Sequence, residues 1–150
     1  MSTTSIITFA DFEQMRETPG KQELIDGELI EIPPAKYRHM DISKRVFMRL
    51  SSGPVGKRAY FEMGYRIGSG WLVPDVSVTR PNQVVTDYLI GSPALAVEIL
   101  SPDNRASLVA RKLNLYLAEG AEEVWVIDPA KRTMSVHRST QDGQIGRAHV

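Results

Sequence analysis

Cysteine is absent from the 150 residues. That excludes disulfide scaffolds, iron–sulfur clusters, cysteine-based zinc sites and thiol nucleophiles. Histidine is scarce, with three scattered copies, too few for a histidine-rich metal site. A long hydrophobic run is also missing. The longest apolar stretch, Ala94 to Leu100, is interrupted by Glu98 and is far too short to cross a bilayer. The N-terminus, MSTTSIITFADFEQM, has no basic segment followed by an apolar core and does not read as a signal peptide, so a cytoplasmic location is expected. Net charge is zero, 18 Lys and Arg against 18 Asp and Glu. What remains is a globular composition, 42% hydrophobic and 24% charged, expected to form one domain over residues 1–150 with its own core.

The balanced charge is unevenly spread. Residues 1–35 carry a net −5, residues 36–67 a net +6, residues 68–100 a net −2 and residues 101–150 a net +1. The basic segment includes Lys36, Arg38, Lys44 and Arg45, with Tyr37 and Tyr60 among them. A solvated helix face is the simpler account of it; a surface tracking a phosphate backbone is the alternative.

Thr8 with Asp11 three residues on suggests a capping box opening a short helix that ends before Pro19-Gly20. Gln22 to Ile32 reads as a β-hairpin turning at Asp26-Gly27, because both turn residues tolerate positive φ. Tyr37 to Leu50 has helical spacing and stops at Ser51-Ser52-Gly53-Pro54. Arg58 to Ile67 and Trp71 to Thr79 read as two strands joined across Gly68-Ser69-Gly70, and residues 80–93 as a loop. Ala94 to Leu100 reads as a strand buried on both faces. A helix from about Asn104 to Glu119 follows, then strands at Glu123 to Ile127 and Thr133 to His137. One mixed sheet with helices packed on it is the expected architecture.

Three residues break this apolar patterning. Glu98 is the one polar residue in its strand, and Asp75 sits inside Val73-Pro74-Asp75-Val76. A buried carboxylate is costly unless it has a partner or a task. Lys112 falls on the apolar stripe Leu108/Val109, Leu113, Tyr116/Leu117, one turn before Tyr116, which aims its ammonium toward the strand holding Glu98. Burial lowers a Lys pKa and carboxylates restore it, so a charged Lys112 needs those acids. Glu23 and Glu28, on the hairpin, are weaker candidates, since alternating hairpin acids usually face solvent. A self-satisfied ion network is the bland account; convergence of all three favours function.

Two carboxylates holding Mg²⁺ or Mn²⁺ beside a Lys suit phosphodiester hydrolysis. A carboxylate pair alone also suits a glycosidase, which has no need of a buried Lys. No G-x-S-x-G elbow, G-x-x-x-x-G-K-[ST] loop or G-x-G-x-x-G turn is present.

The ordered set Glu23-Leu-Ile-Asp-Gly27-Glu-Leu, His39 opening a helix, Val73-Pro74-Asp75-Val76, Ala96-Val97-Glu98-Ile99-Leu100-Ser101-Pro102, Lys112 with Tyr116, and Glu123-Val-Trp125-Val-Ile-Asp128-Pro129 resembles the Uma2 family. These are endonucleases of the PD-(D/E)XK, restriction-endonuclease-like superfamily. The resemblance covers roughly residues 8 to 138. It implies a three-layer α/β/α fold with a mixed sheet, an N-terminal helix and a β-hairpin, together with a divalent metal, Mg or Mn, and a nucleic-acid substrate. It maps the Pro-Asp motif onto Pro74-Asp75 and the second acid onto Glu98. The superfamily's usual Lys two residues later is replaced by Leu100, and Lys112 takes its place. The resemblance further implies that Ile99 offers a carbonyl to the metal and Glu23 an additional acid, with His39 either a substrate contact or a helix-terminal polar residue. Family members usually continue with further strands. Here the chain stops soon after Asp142-Gly143 with little apolar content to complete a sheet, which reads as a C-terminal truncation.

The expectation is a metal-dependent endonuclease acting on DNA, with Asp75 and Glu98 binding the cation and Lys112 handling the attacking water; a homodimer would be a common assembly for such a fold. The alternatives are a nucleic-acid-binding module of the same fold without catalysis, and a carboxylate-pair hydrolase of another substrate.

Overall fold

The computed structural model describes residues 5–102 and 106–139, and the backbone of 145–149. Helix α1 (Phe9–Glu13) opens on the expected capping box: the Thr8 hydroxyl accepts from the Asp11 amide, and the Asp11 carboxylate accepts from the Thr8 amide. Strands β1 (Lys21–Ile25) and β2 (Glu28–Ile32) pair in the register expected of a two-residue turn, with Asp26 at φ 50° and Gly27 at φ 78°.

The two long strands expected around Gly68-Ser69-Gly70 are each broken in the middle. Strands β3 (Ala59–Phe61) and β4 (Tyr65–Ile67) come from the first, β5 (Gly70–Leu72) and β6 (Val76–Val78) from the second. β4 and β5 form the hairpin near the turn, while β3 and β6 continue the pairing in a different sheet. The break falls where the ladder cannot run on: Glu62 has φ 50°, and Pro74 has no N–H to donate. This double corner divides the strands into two sheets, rather than the single mixed sheet expected.

One sheet has the order β2-β1-β5-β4-β8-β7. Its last two members, β7 (Val84–Val85) and β8 (Leu89–Ile90), lie in the segment expected to be a loop; each is two residues long, too short for period-two patterning to register. The other sheet has, in order, β12 (Ile145–His149), β11 (Thr133–Ser139), β10 (Glu123–Asp128), β9 (Leu95–Ile99), β6 and β3. At its centre β9 (Leu95–Ile99) runs antiparallel to β6 and parallel to β10 (Glu123–Asp128), which explains its near-continuous apolar sequence.

Alternation along β9 sorts the layers. Val97 and Ile99 face one way and, with Val76, pack against Ile42, Val46, Phe47 and Leu50 of helix α2 (Tyr37–Ser51). Ala96 faces the other way, where it joins Val124, the first sheet's Ile25, Tyr65 and Leu72, and Leu113, Tyr116 and Leu117 of helix α3 (Ala106–Ala118). Helix, sheet, and helix with second sheet are the three layers. Glu98 shares the Ala96 face, so it points into the layer that holds α3 and β1.

The expected start of α3 at Asn104 lies outside the described residues; its end is set by Gly120 at φ 110°. Strand β11 (Thr133–Ser139) follows β10 antiparallel. The tail, expected to be too poor in apolar residues to extend the sheet, pairs through its backbone as β12 (Ile145–His149) with β11. Edge pairing needs backbone groups more than side chains. No helix among the described residues is long and apolar enough to cross a membrane.

Candidate active site

Asp75 occupies the corner between β5 and β6. Its amide donates to the Val97 carbonyl (3.0 Å) and its carbonyl accepts from the Glu62 amide (3.1 Å), so the backbone on both sides of the corner is fixed. Its side chain is buried. Oδ2 accepts from the Ile99 amide (2.7 Å) and lies 3.4 Å from His39 Nε2, while Oδ1 takes the ammonium of Lys21 at 2.6 Å. Burial disfavours the Asp75 carboxylate, but hydrogen bonding from His39 and the charges of Lys21 and His39 outweigh it and hold the pKa well below the usual carboxylate range.

Glu98, Lys112 and Glu23 form the second half of the cluster. Lys112 Nζ lies 2.7 Å from Glu98 Oε1 and 2.8 Å from Glu23 Oε1. The Tyr116 hydroxyl also donates to Glu98 Oε1 (2.8 Å), and the Val73 amide donates to Glu23 Oε1 (2.9 Å). Burial is the main cause that raises Glu98; Lys112 opposes it, Asp75 and Glu23 add repulsion, and the carboxyl is pushed up to about 7. For Lys112, burial lowers the pKa, but the charges of Glu23 and Glu98 more than compensate and hold the ammonium charged.

The three residues singled out by their broken pattern, Asp75, Glu98 and Lys112, therefore line one cleft of about 1120 Å³ between the hairpin, the start of α2 and α3. Glu23 corrects an expectation: instead of facing solvent it is fully buried, because the face of β1 that carries it is covered by Lys112 of α3 and by the Val73 backbone. Glu28, on the outer strand, is exposed and pairs with Arg111 (3.0 Å). His39 lies in the first turn of α2 and its Nε2 shares a hydrogen bond with the Ile99 carbonyl (3.1 Å), the group expected to serve a metal. Hydrogen bonding to Asp75 is the main cause that raises the His39 pKa.

The basic segment divides. Lys36 and Arg38 line the cleft, Arg38 donating to the Pro129 carbonyl (2.9 Å). Lys44 and Arg45 are exposed on α2 outside the cleft lining, and Arg45 pairs with Asp41 (2.8 Å). Lys21 and Glu62 were not foreseen. Lys21 precedes Glu23 by two residues on β1 and shares its face, a period-two signal available in the sequence. Glu62 reaches Lys21 only through the corner between β3 and β4 (3.7 Å), which has no sequence signal.

Two carboxylates and a backbone carbonyl make a hard oxygen set, of the kind that suits Mg²⁺ or Mn²⁺, and a magnesium ion commonly uses one or two carboxylates and completes its shell with water. Lys112 and Tyr116 both bond Oε1 of Glu98, so its second oxygen lies outside those bonds. The donor chemistry fits a divalent cation. Among the described residues, though, no three acidic or histidine side chains are grouped to hold a metal by themselves; ammonium groups stand between the acids instead.

The solved structure of a putative nuclease belonging to DUF820 from Anabaena variabilis ATCC 29413 superposes on this chain with a TM-score of 0.81 at 27% identity, covering 94% of this chain and 83% of that one. No curated protein matches. The family model Uma2, described as "Putative restriction endonuclease", matches residues 9–150. That match spans both halves of the carboxylate cluster and both sheets, and the chain belongs to the Uma2 family.

Proposed function

We propose that this protein is a metal-dependent endonuclease that hydrolyses phosphodiester bonds, with DNA as its substrate. The observation that carries the reading is the meeting of Asp75, Glu98 and Lys112 from three separate elements in one cleft. Asp75 and Glu98 would hold Mg²⁺ or Mn²⁺, with the Ile99 carbonyl beside them. When bound, the cation neutralises phosphate charge and makes a bound water more acidic.

The chain's own groups supply the rest. The Lys112 ammonium has three donors; Glu23 and Glu98 take two, which leaves the third for the attacking water or a phosphate oxygen. Tyr116 and Lys112 together fix the Glu98 carboxylate, and the Ile99 amide and His39 fix that of Asp75, so neither acid has to reorganise when substrate arrives. Lys36 and Arg38 at the cleft mouth are placed to meet the phosphate backbone.

A depressed Asp75 beside a Glu98 near 7 also fits a carboxylate pair acting as base and acid on another substrate. Two lysines among the acids favour the phosphodiester, whose charge they would meet. Calorimetric titration with Mn²⁺ decides between them. Binding by the wild type that is lost in Asp75→Ala is expected; absence of binding, or equal binding by the variant, would sink the metal-dependent reading.

A further inference from the structure

Of the two ammonium groups in the cluster, only one has a way out. Lys112 is locked on a helix with both its carboxylate partners buried around it. Lys21 opens strand β1 at the wall of the cleft, and its nitrogen touches three groups: Asp75 Oδ1 at 2.6 Å, the Val73 carbonyl at 3.4 Å and Glu62 Oε1 at 3.7 Å. Asp75 is buried in the corner and Val73 is half-buried beside it. Glu62 is different, 36% exposed at the rim, where β3 breaks before β4.

The oxygen that Lys21 covers is the one a cation would need. Asp75 Oδ2 already accepts from the Ile99 amide and faces His39, whereas Lys21 is the partner of Oδ1. An ammonium and a divalent cation cannot share that oxygen at coordinating distance, since like charges repel strongly in a partly buried site. A lysine has a long flexible stem with a compact charge at its tip, so moving the tip from Asp75 toward Glu62 needs side-chain rotation alone.

We propose that Lys21 is a tethered counter-cation: its ammonium occupies the divalent cation's position against Asp75, gives way when that cation enters, and is received at the rim by Glu62. This rests on the metal-binding reading above and adds to it a residue that sets affinity without itself binding the metal. The resting site keeps its carboxylates compensated, and cation entry delivers a second positive charge, the displaced ammonium, to the mouth of the cleft where a phosphate would pass.

Mn²⁺ calorimetry on purified wild type, Lys21→Met, Lys21→Arg, Glu62→Gln and Asp75→Ala tests it, with thermal unfolding recorded with and without Mn²⁺. Lys21→Met should bind about tenfold more tightly than wild type, about 1.4 kcal/mol, and should gain more thermal stability from the same Mn²⁺ concentration. Lys21→Arg, which keeps the charge, should stay within about threefold of wild type. Glu62→Gln should bind several-fold more weakly, because the displaced ammonium loses its partner. Asp75-dependent binding that Lys21→Met leaves unchanged overturns the counter-cation and spares the metal site. Equal tightening by Lys21→Arg also overturns it, since packing would then be the cause. If Lys21→Met does not fold, unchanged affinity in Glu62→Gln is the overturning result. Binding that persists in Asp75→Ala, or that no variant shows, removes the metal reading and the counter-cation with it.

Discussion

Glu98 is the costliest ion in the cluster, and Glu98→Gln isolates that cost. Its carboxyl is raised from an ordinary 4.5 to about 7, chiefly by burial. At about 1.4 kcal/mol for each pH unit, that interval amounts to roughly 3 kcal/mol against ionising Glu98 in the folded protein. The sign follows from proton counting. Between about 4.5 and 7 the folded chain keeps a proton that the unfolded chain has released, so this group's contribution to stability falls as pH rises through that window and stays low above it. Gln never ionises. It keeps the shape of Glu98 and an oxygen that can accept from Lys112 and Tyr116, and Glu23 still compensates the Lys112 charge at 2.8 Å. Urea unfolding of wild type and variant should give stabilities within about 1 kcal/mol of each other near pH 5, where both side chains are neutral. Near pH 8.5 the variant should be the more stable by about 1 to 3 kcal/mol, while its Mn²⁺ binding is lost. A stability difference that does not change with pH would refute the argument, because burial of an ionised Glu98 would then not be what the variant relieves.

Lys112→Met should cost about 3–5 kcal/mol by urea unfolding, since it leaves Glu23 and Glu98 buried without their shared cation; a loss below about 1 kcal/mol would show that the cluster is not held together by that charge. A duplex DNA oligonucleotide should bind measurably only when Mn²⁺ is present, and its affinity should fall steeply from low to moderate salt. A flat salt response in fluorescence anisotropy would place the substrate's phosphates elsewhere.

The parts of the fold that depend on local chemistry could be read in advance. The Thr8–Asp11 capping box, the Asp26-Gly27 turn and the buried strand around Glu98 each follow from a few neighbouring residues. Lys112 could be read as well, because helical spacing alone puts it on the stripe shared with Leu113 and Tyr116. Glu23 could not: which face of the hairpin is covered depends on the docking of α3 and of the Val73 segment, contacts from distant parts of the chain. Lys21 follows from Glu23 by strand alternation, but Glu62 could not be read: it meets Lys21 through a corner made by a non-glycine residue at positive φ, for which Glu62 gives no compositional hint.

That corner also explains why so many charges can be buried together. Had the β4–β5 hairpin run straight on into β3 and β6, one continuous sheet would have buried its face against α3 with apolar side chains. Instead Pro74 and Glu62 stop the ladder, the two sheets part, and Asp75 is left at the junction with its backbone fixed by Val97 and Glu62. Into the junction project Lys21 and Glu23 from one sheet, Glu98 from the other, and Lys112 and Tyr116 from the helix that bridges them. Replacing such a cluster with apolar groups of the same volume would commonly leave a protein as stable or more so. A Glu98 held near 7 makes the same point from within, since its ionised form works against folding. Stability therefore does not account for the cluster. Under the proposed function, an arrangement that places a strongly acidic carboxylate, a reluctant one and two ammonium groups at the wall of an open cleft would be accounted for by what it binds there: a cation, and the phosphate that the cation and the lysines would attract together.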